Sequence, residues 1–417
     1  MKQIIIQGGN KLSGTIKISG AKNSAVALIP ASILSDDIVK IDNIPNISDV
    51  DALDEILKFL GAKVTLEDGL MTIDSKSIKN MPIPKEISTK LRASYYFMSA
   101  LLGKYKHVEM YFPGGCNIGA RPIDQTLKGF RALGATVNEK DNKFIIDAKE
   151  LIGGHVYLDM PSVGATINTM LVAVKAKGVT IIENAAKEPE IVNVATFLNN
   201  MGAKITGAGT SEIRIKGVEH LKGCFTEVIP DRIETGTYII AGALVGENLR
   251  IENIIPEHVE SLTLKLKEMG ANIKVGNDYA IVSKCEKLKH VNVKTLGYPG
   301  FPTDLQQPLT TLLTQCSGLS YLEETIYENR FQNVPYLNKM GANIKIVGKK
   351  IKIKGPTKLK GKKVVATDLR AGACLVLAGL AAQGKTTITN IEHVLRGYEN
   401  IIEKLENVGA KISLKEI

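Results

Sequence analysis

The 417-residue sequence has no tryptophan, only six histidines and five cysteines, and no long apolar run. Each scarcity excludes something. The cysteines show no paired spacing, which argues against a disulfide framework and fits reduced thiols in a cytoplasm. The histidines form no metal-ligand pattern, so neither a structural nor a catalytic zinc is expected. The start, Met1-Lys2-Gln3-Ile4-Ile5-Ile6-Gln7, holds too short an apolar run for a signal peptide. The uncharged stretch Ala371–Gly384 is too short to span a bilayer. A cytoplasmic protein without a membrane partner is the expectation. Without tryptophan, aromatic interleaving or a concentrated basic stripe, nucleic acid is a poor partner. Yet 53 Lys+Arg against 43 Asp+Glu leave a net charge of +10, which suits an anionic small molecule. Arginine is scarce too: nine of the 53 basic residues.

What is present in abundance is repetition. A Gly-Ala pair recurs at Gly61-Ala62, Gly134-Ala135, Gly202-Ala203, Gly270-Ala271, Gly341-Ala342 and Gly409-Ala410. The spacings of 73, 68, 68, 71 and 68 residues mark a repeat architecture. Leu53, Ile56, Leu57 and Leu60 precede the first pair at helical period, so each glycine reads as a left-handed C-cap. The first unit predicts a strand at Thr15–Ile18, a helix at Ala21–Leu34 and a strand at Ile38–Ile41. A helix at Val50–Leu60 and strands at Lys63–Leu66 and Leu70–Ile73 complete it. That is βαβαββ, expected again from Lys363 to Leu414. Six units suggest an α/β chain of two three-repeat domains, dividing near Glu219–Pro230.

The repeat also orders the arginines. Turns into first helices carry Asn23, Arg92, Ser162, Arg232, Asp304 and Arg370; turns into second helices carry Arg121, Arg330 and Arg396. Helix starts attract anions, and arginine adds a bidentate fork for carboxylate or phosphate. One thiol stands in a Gly-rich loop, Gly114-Gly115-Cys116-Asn117-Ile118-Gly119-Ala120-Arg121-Pro122. Asp124, Leu127, Phe130 and Leu133 follow at helical spacing, placing Cys116 just before a helix and five residues from a cation. Both features lower a thiol's pKa from about 8.5, which makes Cys116 the reactive candidate. Cys285, Cys316 and Cys374 read instead as small hydrophobes. Gly379–Thr386 matches the P-loop pattern GxxxxGK[ST], but it runs from helix to strand, the reverse of a phosphate-binding loop.

These segments, with Gly20-Ala21-Lys22-Asn23-Ser24, Pro161–Thr166, Pro230–Gly236, Gly300–Asp304, Glu328–Phe331, Asp368–Arg370 and Arg396–Tyr398, resemble the UDP-N-acetylglucosamine 1-carboxyvinyltransferases. The resemblance covers the whole chain in order. It implies two inside-out α/β domains, each of three βαβαββ repeats, facing across a cleft: residues 21–229, and 1–20 plus 230–417. It also implies an N-terminal strand crossing into the second domain. The implied reaction moves the enolpyruvyl group of phosphoenolpyruvate onto the 3′-hydroxyl of UDP-N-acetylglucosamine, releasing phosphate without metal or organic cofactor.

By resemblance, Lys22, Arg121 and Arg396 would hold the phosphate of phosphoenolpyruvate, Arg330 and Arg370 its carboxylate, and Asn23 would also bind that substrate. Asp304 would accept the hydroxyl proton. Cys116 would donate to C3, and it is the thiol that the epoxide fosfomycin would alkylate. Lys22 and Arg396 would share in the catalysis. Arg92, Arg121, Pro122, Ile123, Asp124, Gln125, Ser162, Val163, Gly164, Asp304 and Ile326 would line the sugar-nucleotide pocket. Met160-Pro161 precedes Ser162 where the family pattern has a lysine near the uracil. Two other readings compete: the related 3-phosphoshikimate enolpyruvyl transferase, whose pattern lacks the cysteine loop, and a basic non-catalytic repeat scaffold for RNA.

Overall fold

The computed structural model describes residues 2–114 and 123–416. They fall into two compact units, one of residues 20–114 with 123–229 and the other of residues 2–19 with 230–416. In every repeat the first helix is apolar all round. In the first unit, Lys22–Ala31, Tyr95–Tyr105 and Val163–Ala173 are buried along almost their whole lengths. In the second unit, Arg232–Val245, Gln306–Leu313 and Leu369–Ala381 are buried in the same way. A helix without a polar face must sit inside. In the second unit these three helices pack on one another; in the first, Tyr95–Tyr105 packs on both others. The second helices are amphipathic, as Ser48–Leu60 shows by burying Val50, Leu53, Ile56, Leu57 and Leu60. Each unit has its own apolar core.

Sheets cover these helices, three in each unit among the described residues; five are mixed and four-stranded, while the second repeat forms a three-stranded antiparallel one, one strand short of the expected unit. In the third repeat, His155–Tyr157 runs parallel to Val179–Glu183, which pairs antiparallel with Glu212–Lys216, itself paired with Lys204–Thr206. The same order recurs in the fifth repeat. All six Gly-Ala glycines have positive φ, between 79° and 108°, the left-handed C-cap that the sequence called for.

The first, fourth and sixth repeats also depart from the linear reading. Thr15–Lys17 does not join the sheet of the first repeat. It pairs in parallel with Leu249–Glu252, Ile16 facing Ile251, while Phe225–Glu227 takes the matching place beside Val39–Asp42. The sixth repeat has only one strand, Lys411–Glu416, after its last helix. Lys2–Gln7 enters between that strand and Lys385–Thr389 and completes the sheet. Alternation of buried Ile4 and Ile6 with more exposed neighbours drives this insertion, since both isoleucines reach the core of the second unit. The Gly379–Thr386 segment closes the Leu369–Ala381 helix and enters the Lys385–Thr389 strand, with the Thr386 side chain buried. It is not a phosphate-binding loop.

Ser19, at the edge of the second unit, is held at several points. Its carbonyl accepts from Asp231 N at 2.9 Å. Its N–H donates to Glu234 Oε2 at 2.9 Å, and its hydroxyl bonds Glu399. Lys404 Nζ donates to Ser19 Oγ at 2.6 Å and to Glu234 Oε1 at 2.7 Å. Burial pushes the Glu234 carboxyl up from 4.5 to about 7 against the pull of Lys404. A raised folded-state pKa means that the folded chain holds the extra proton between those values. Stability from this group is therefore fully present below pH 4.5 and lost as the pH rises through 7, by up to about 3 kcal/mol. Chemical denaturation from pH 5 to 8 is expected to show this loss, and Glu234→Gln to flatten it. An unchanged pH slope in the variant would remove Glu234 as its source.

Candidate active site

In the first unit, the turn that opens the Tyr95–Tyr105 helix places the Arg92 guanidinium 5.7 Å from the Tyr95 ring centroid. The Tyr95 hydroxyl lies 2.0 Å from where a Cβ on Gly164 would stand, so this contact requires glycine. Ser162 caps the same helix as Gly164, its Oγ accepting from Ala165 N at 3.2 Å. Arg92 and Ser162–Gly164, distant in sequence, are thus brought together through Tyr95. The Asp124–Ala132 helix packs on Val163–Ala173 where Gly129 meets Thr169. At its start Gln125 Nε2 donates to Asp159 Oδ2 at 3.0 Å, and Gln125 Oε1 accepts from Asp159 N at 2.8 Å. Ile123 and Asp124 flank that contact, and Met160, where the family pattern has lysine, is exposed. Lys22 opens its helix with Nζ 2.8 Å from Asp49 Oδ2, and half-buried Asn23 follows it.

In the second unit three turns from two repeats converge on one carboxylate. Asp304 Oδ1 accepts from Arg330 Nη2 at 2.7 Å, and Oδ2 from Arg370 Nη2 at 3.1 Å. Both arginine side chains are only 3% exposed; Asp304 is 24% exposed. Burial alone would raise the Asp304 pKa, but the charges of Arg370 and Arg330 outweigh it and hold the carboxyl far below the usual range. Both guanidiniums stay charged, since Asp304 offsets the burial that opposes their charge. Asp368 caps the Leu369–Ala381 helix by accepting from Arg370 N and Ala371 N at 2.9 and 3.0 Å. Buried Gln307 ties the cluster together, donating to Arg330 O at 3.1 Å and to Asp368 Oδ2 at 3.3 Å.

Glu324, also buried, accepts from Thr303 Oγ1 at 2.9 Å, Thr295 Oγ1 at 3.0 Å and Ile326 N at 2.8 Å. It fixes both the turn that presents Asp304 and the loop that presents Ile326, which is 40% exposed. Arg330 Nε and Arg370 Nη1 are buried donors with no hydrogen-bond partner among the described residues. Two guanidiniums share the Asp304 carboxylate, and each keeps one buried donor unused among the described residues. An anion that accepts from both fits the cluster.

The model of the EPSP synthase (3-phosphoshikimate 1-carboxyvinyltransferase) family matches residues 6–405. The chain belongs to the EPSP synthase family. Within that family it is 55% identical over 412 residues to UDP-N-acetylglucosamine 1-carboxyvinyltransferase 2 of Geobacillus kaustophilus, covering 99% of this chain and 96% of that one. The Bacillus subtilis protein of the same name is 55% identical over 413 residues, with the same coverage. Among solved structures, the enolpyruvyl transferase NikO from Streptomyces tendae matches 99% of both chains at 28% identity with a TM-score of 0.90. EPSP synthase from Acinetobacter baumannii shares the fold, with a TM-score of 0.77 at 18% identity over the full length of both chains. The chain is a transferase, and its family acts on small molecules.

Within this EPSP synthase family framework, the sequence reading located the arginines but missed the groups behind them. Gln307 and Tyr398 carry no local signal because they act through contacts between repeats, and Glu324 because its partners Thr295 and Thr303 lie more than 20 residues away. Asp368 had one: an aspartate directly before an apolar helix is a common N-cap. Cys116, Arg121 and Pro122 lie outside the described residues. Arg396 is half-buried, following the short Glu392–Leu395 helix. The other four cysteines are free; burial pushes Cys316 up to about 12, and Cys374 and Cys224 to about 11, so these three remain thiols at neutral pH.

Asp304→Asn is expected to cost about 3 kcal/mol of stability, because two buried guanidiniums lose their counter-charge. Millimolar sulfate should then raise the melting temperature of the variant more than that of the parent. Equal sulfate effects would mean that the arginines do not form an anion site.

Proposed function

We propose that the chain transfers the enolpyruvyl group of phosphoenolpyruvate to the 3′-hydroxyl of UDP-N-acetylglucosamine with release of phosphate, the first committed step of peptidoglycan synthesis, in the cytoplasm. The observation that carries the site assignment is the buried Arg330–Asp304–Arg370 cluster with one unused N–H on each guanidinium. A carboxylate is planar and offers two acceptor oxygens, so it can accept from both arginines. Arg330 and Arg370 take the carboxylate of phosphoenolpyruvate; Lys22, Arg121 and Arg396 take its phosphate, and Asn23 also binds that substrate. Arg92, Arg121, Pro122, Ile123, Asp124, Gln125, Ser162, Val163, Gly164, Asp304 and Ile326 take the sugar nucleotide.

Addition at C2 requires a proton at C3 and removal of the hydroxyl proton, with the negative charge held throughout. Asp304 accepts the hydroxyl proton. Paired with two arginines it is a very weak base, but a substrate carboxylate that draws on the same guanidiniums relaxes that hold and raises its basicity. The base is thus armed by the substrate. Cys116 donates the proton to C3, and a nearby phosphate dianion keeps the thiol protonated until transfer.

The test is phosphate release from phosphoenolpyruvate with either UDP-N-acetylglucosamine or shikimate 3-phosphate as acceptor. Release is expected with the first only. The opposite preference would assign the chain to the reaction named in the family description. No release with either would favour a non-catalytic basic scaffold.

Cys116 has its own test. Cys116→Asp is expected to turn over and to resist fosfomycin, because a carboxylic acid can deliver the proton but offers no sulfur to alkylate. Cys116→Ser should lose about 10²–10⁴-fold in rate, since an aliphatic hydroxyl is too weak an acid. A serine variant at the parent rate would make Cys116 a bystander.

A further inference from the structure

The guanidinium of Arg370 lies against the ring of Tyr398, which begins a line of hydrogen bonds that the reaction does not itself require. The Tyr398 hydroxyl lies 2.9 Å from Thr237 Oγ1, and Thr237 Oγ1 donates to the Ile233 carbonyl at 2.8 Å. Every member is buried. The direction of the line is fixed by its far end, because a carbonyl can only accept. Thr237 must therefore donate to Ile233, and Tyr398 must donate to Thr237. Ile233 is anchored in turn, because Asp231 caps its helix by accepting from Ile233 N and Glu234 N at 2.7 and 2.9 Å. The line, with the ring contact, thus joins the first helix of the fourth repeat to the first helix of the sixth.

We propose that Tyr398 and Thr237 are positioning residues for Arg370, turning its guanidinium so that Nη2 meets Asp304 and Nη1 is left for the carboxylate of the substrate. The proposal rests on the enolpyruvyl-transfer reading above and adds to it two residues that need not touch any substrate. Three observations converge on it. The Arg370 carbon between the nitrogens lies 5.3 Å from the Tyr398 ring centroid, so the ring limits the side chain's room to rotate. Nη1 is buried without a partner among the described residues, so its direction is set by what holds the rest of the group. Tyr398 also stands two residues after Arg396, in Arg396-Gly397-Tyr398, so anchoring its ring steadies the turn that carries a second anion-binding candidate. Burial raises the Tyr398 pKa, so the hydroxyl keeps the proton that it gives to Thr237.

A neighbouring residue supplies the control. Tyr238 is equally buried, yet its hydroxyl has no partner among the described residues. The test compares Tyr398→Phe, Thr237→Val, the double variant and Tyr238→Phe in steady-state phosphate release. KM for phosphoenolpyruvate is expected to rise about fivefold in each of the first two, the worth of one hydrogen bond. KM for UDP-N-acetylglucosamine should stay within about twofold, the split expected when one substrate's contacts alone are disturbed. The double variant should be no worse than either single one, since the line is already broken. Tyr238→Phe should behave as the parent.

The rise in melting temperature caused by phosphoenolpyruvate needs no turnover and should shrink in the same variants. Unchanged KM and thermal shift in both single variants would overturn the proposal. A parallel loss for both substrates with a lowered melting temperature would overturn it too, as a purely structural role. A parent enzyme that releases no phosphate would refute the function reading instead, while the thermal shift would still judge the positioning role.

Discussion

Burying a guanidinium is costly unless a carboxylate meets it, and Asp304 meets two. This shared ion pair is the constraint on which the chemistry of the second unit depends. Arg330 comes from the turn before the second helix of the fifth repeat, Arg370 from the first helix of the sixth, and Asp304 from the first helix of the fifth. None can be moved without stranding a charge. Gln307, Asp368 and Glu324 hold these turns by backbone hydrogen bonds, which explains why a cluster built from three separate turns keeps distances of 2.7 and 3.1 Å. The arrangement also leaves an unused buried donor on each arginine among the described residues.

The repeat supplies the geometry for this. A βαβαββ unit buries its first helix all round and exposes one face of its second, so the starts of the first helices fall on ordered turns at fixed places in each repeat. Different residues then occupy equivalent turns: Asn23, Arg92 and Ser162 in one unit, Arg232, Asp304 and Arg370 in the other. Symmetry of the fold thereby produces asymmetry of charge. The two exchanged strands, Thr15–Lys17 and Phe225–Glu227, show that the repeats are not six independent modules, since each completes a sheet outside its own linear unit.

Much of this was legible in the sequence. The Gly-Ala spacing gave the number of repeats, because a left-handed C-cap needs glycine wherever a helix must stop at the same place. Apolar periodicity gave the helices, and the arginines at helix starts pointed to an anion. Strand exchange was not legible from the linear pattern, because Thr15–Lys17 has the same alternation whichever sheet it enters. The second strand that the sixth repeat lacks could have been foreseen by counting strands after Gly409, where only one fits. Gln307, Glu324 and Tyr398 stayed hidden for another reason: a buried polar side chain is chosen by a partner distant in sequence, and a single sequence does not name that partner.

The central claim is that the two unused guanidinium donors are waiting for the carboxylate of phosphoenolpyruvate. Phospholactate keeps that carboxylate and the phosphate but has no double bond to protonate, so it can occupy the site without reacting. A crystal structure of the protein with phospholactate and UDP-N-acetylglucosamine is the most direct measurement. The carboxylate should accept from Arg330 Nε and Arg370 Nη1, with Asp304 drawn away from at least one arginine. A carboxylate bound elsewhere, with both Asp304 contacts intact, would contradict the account.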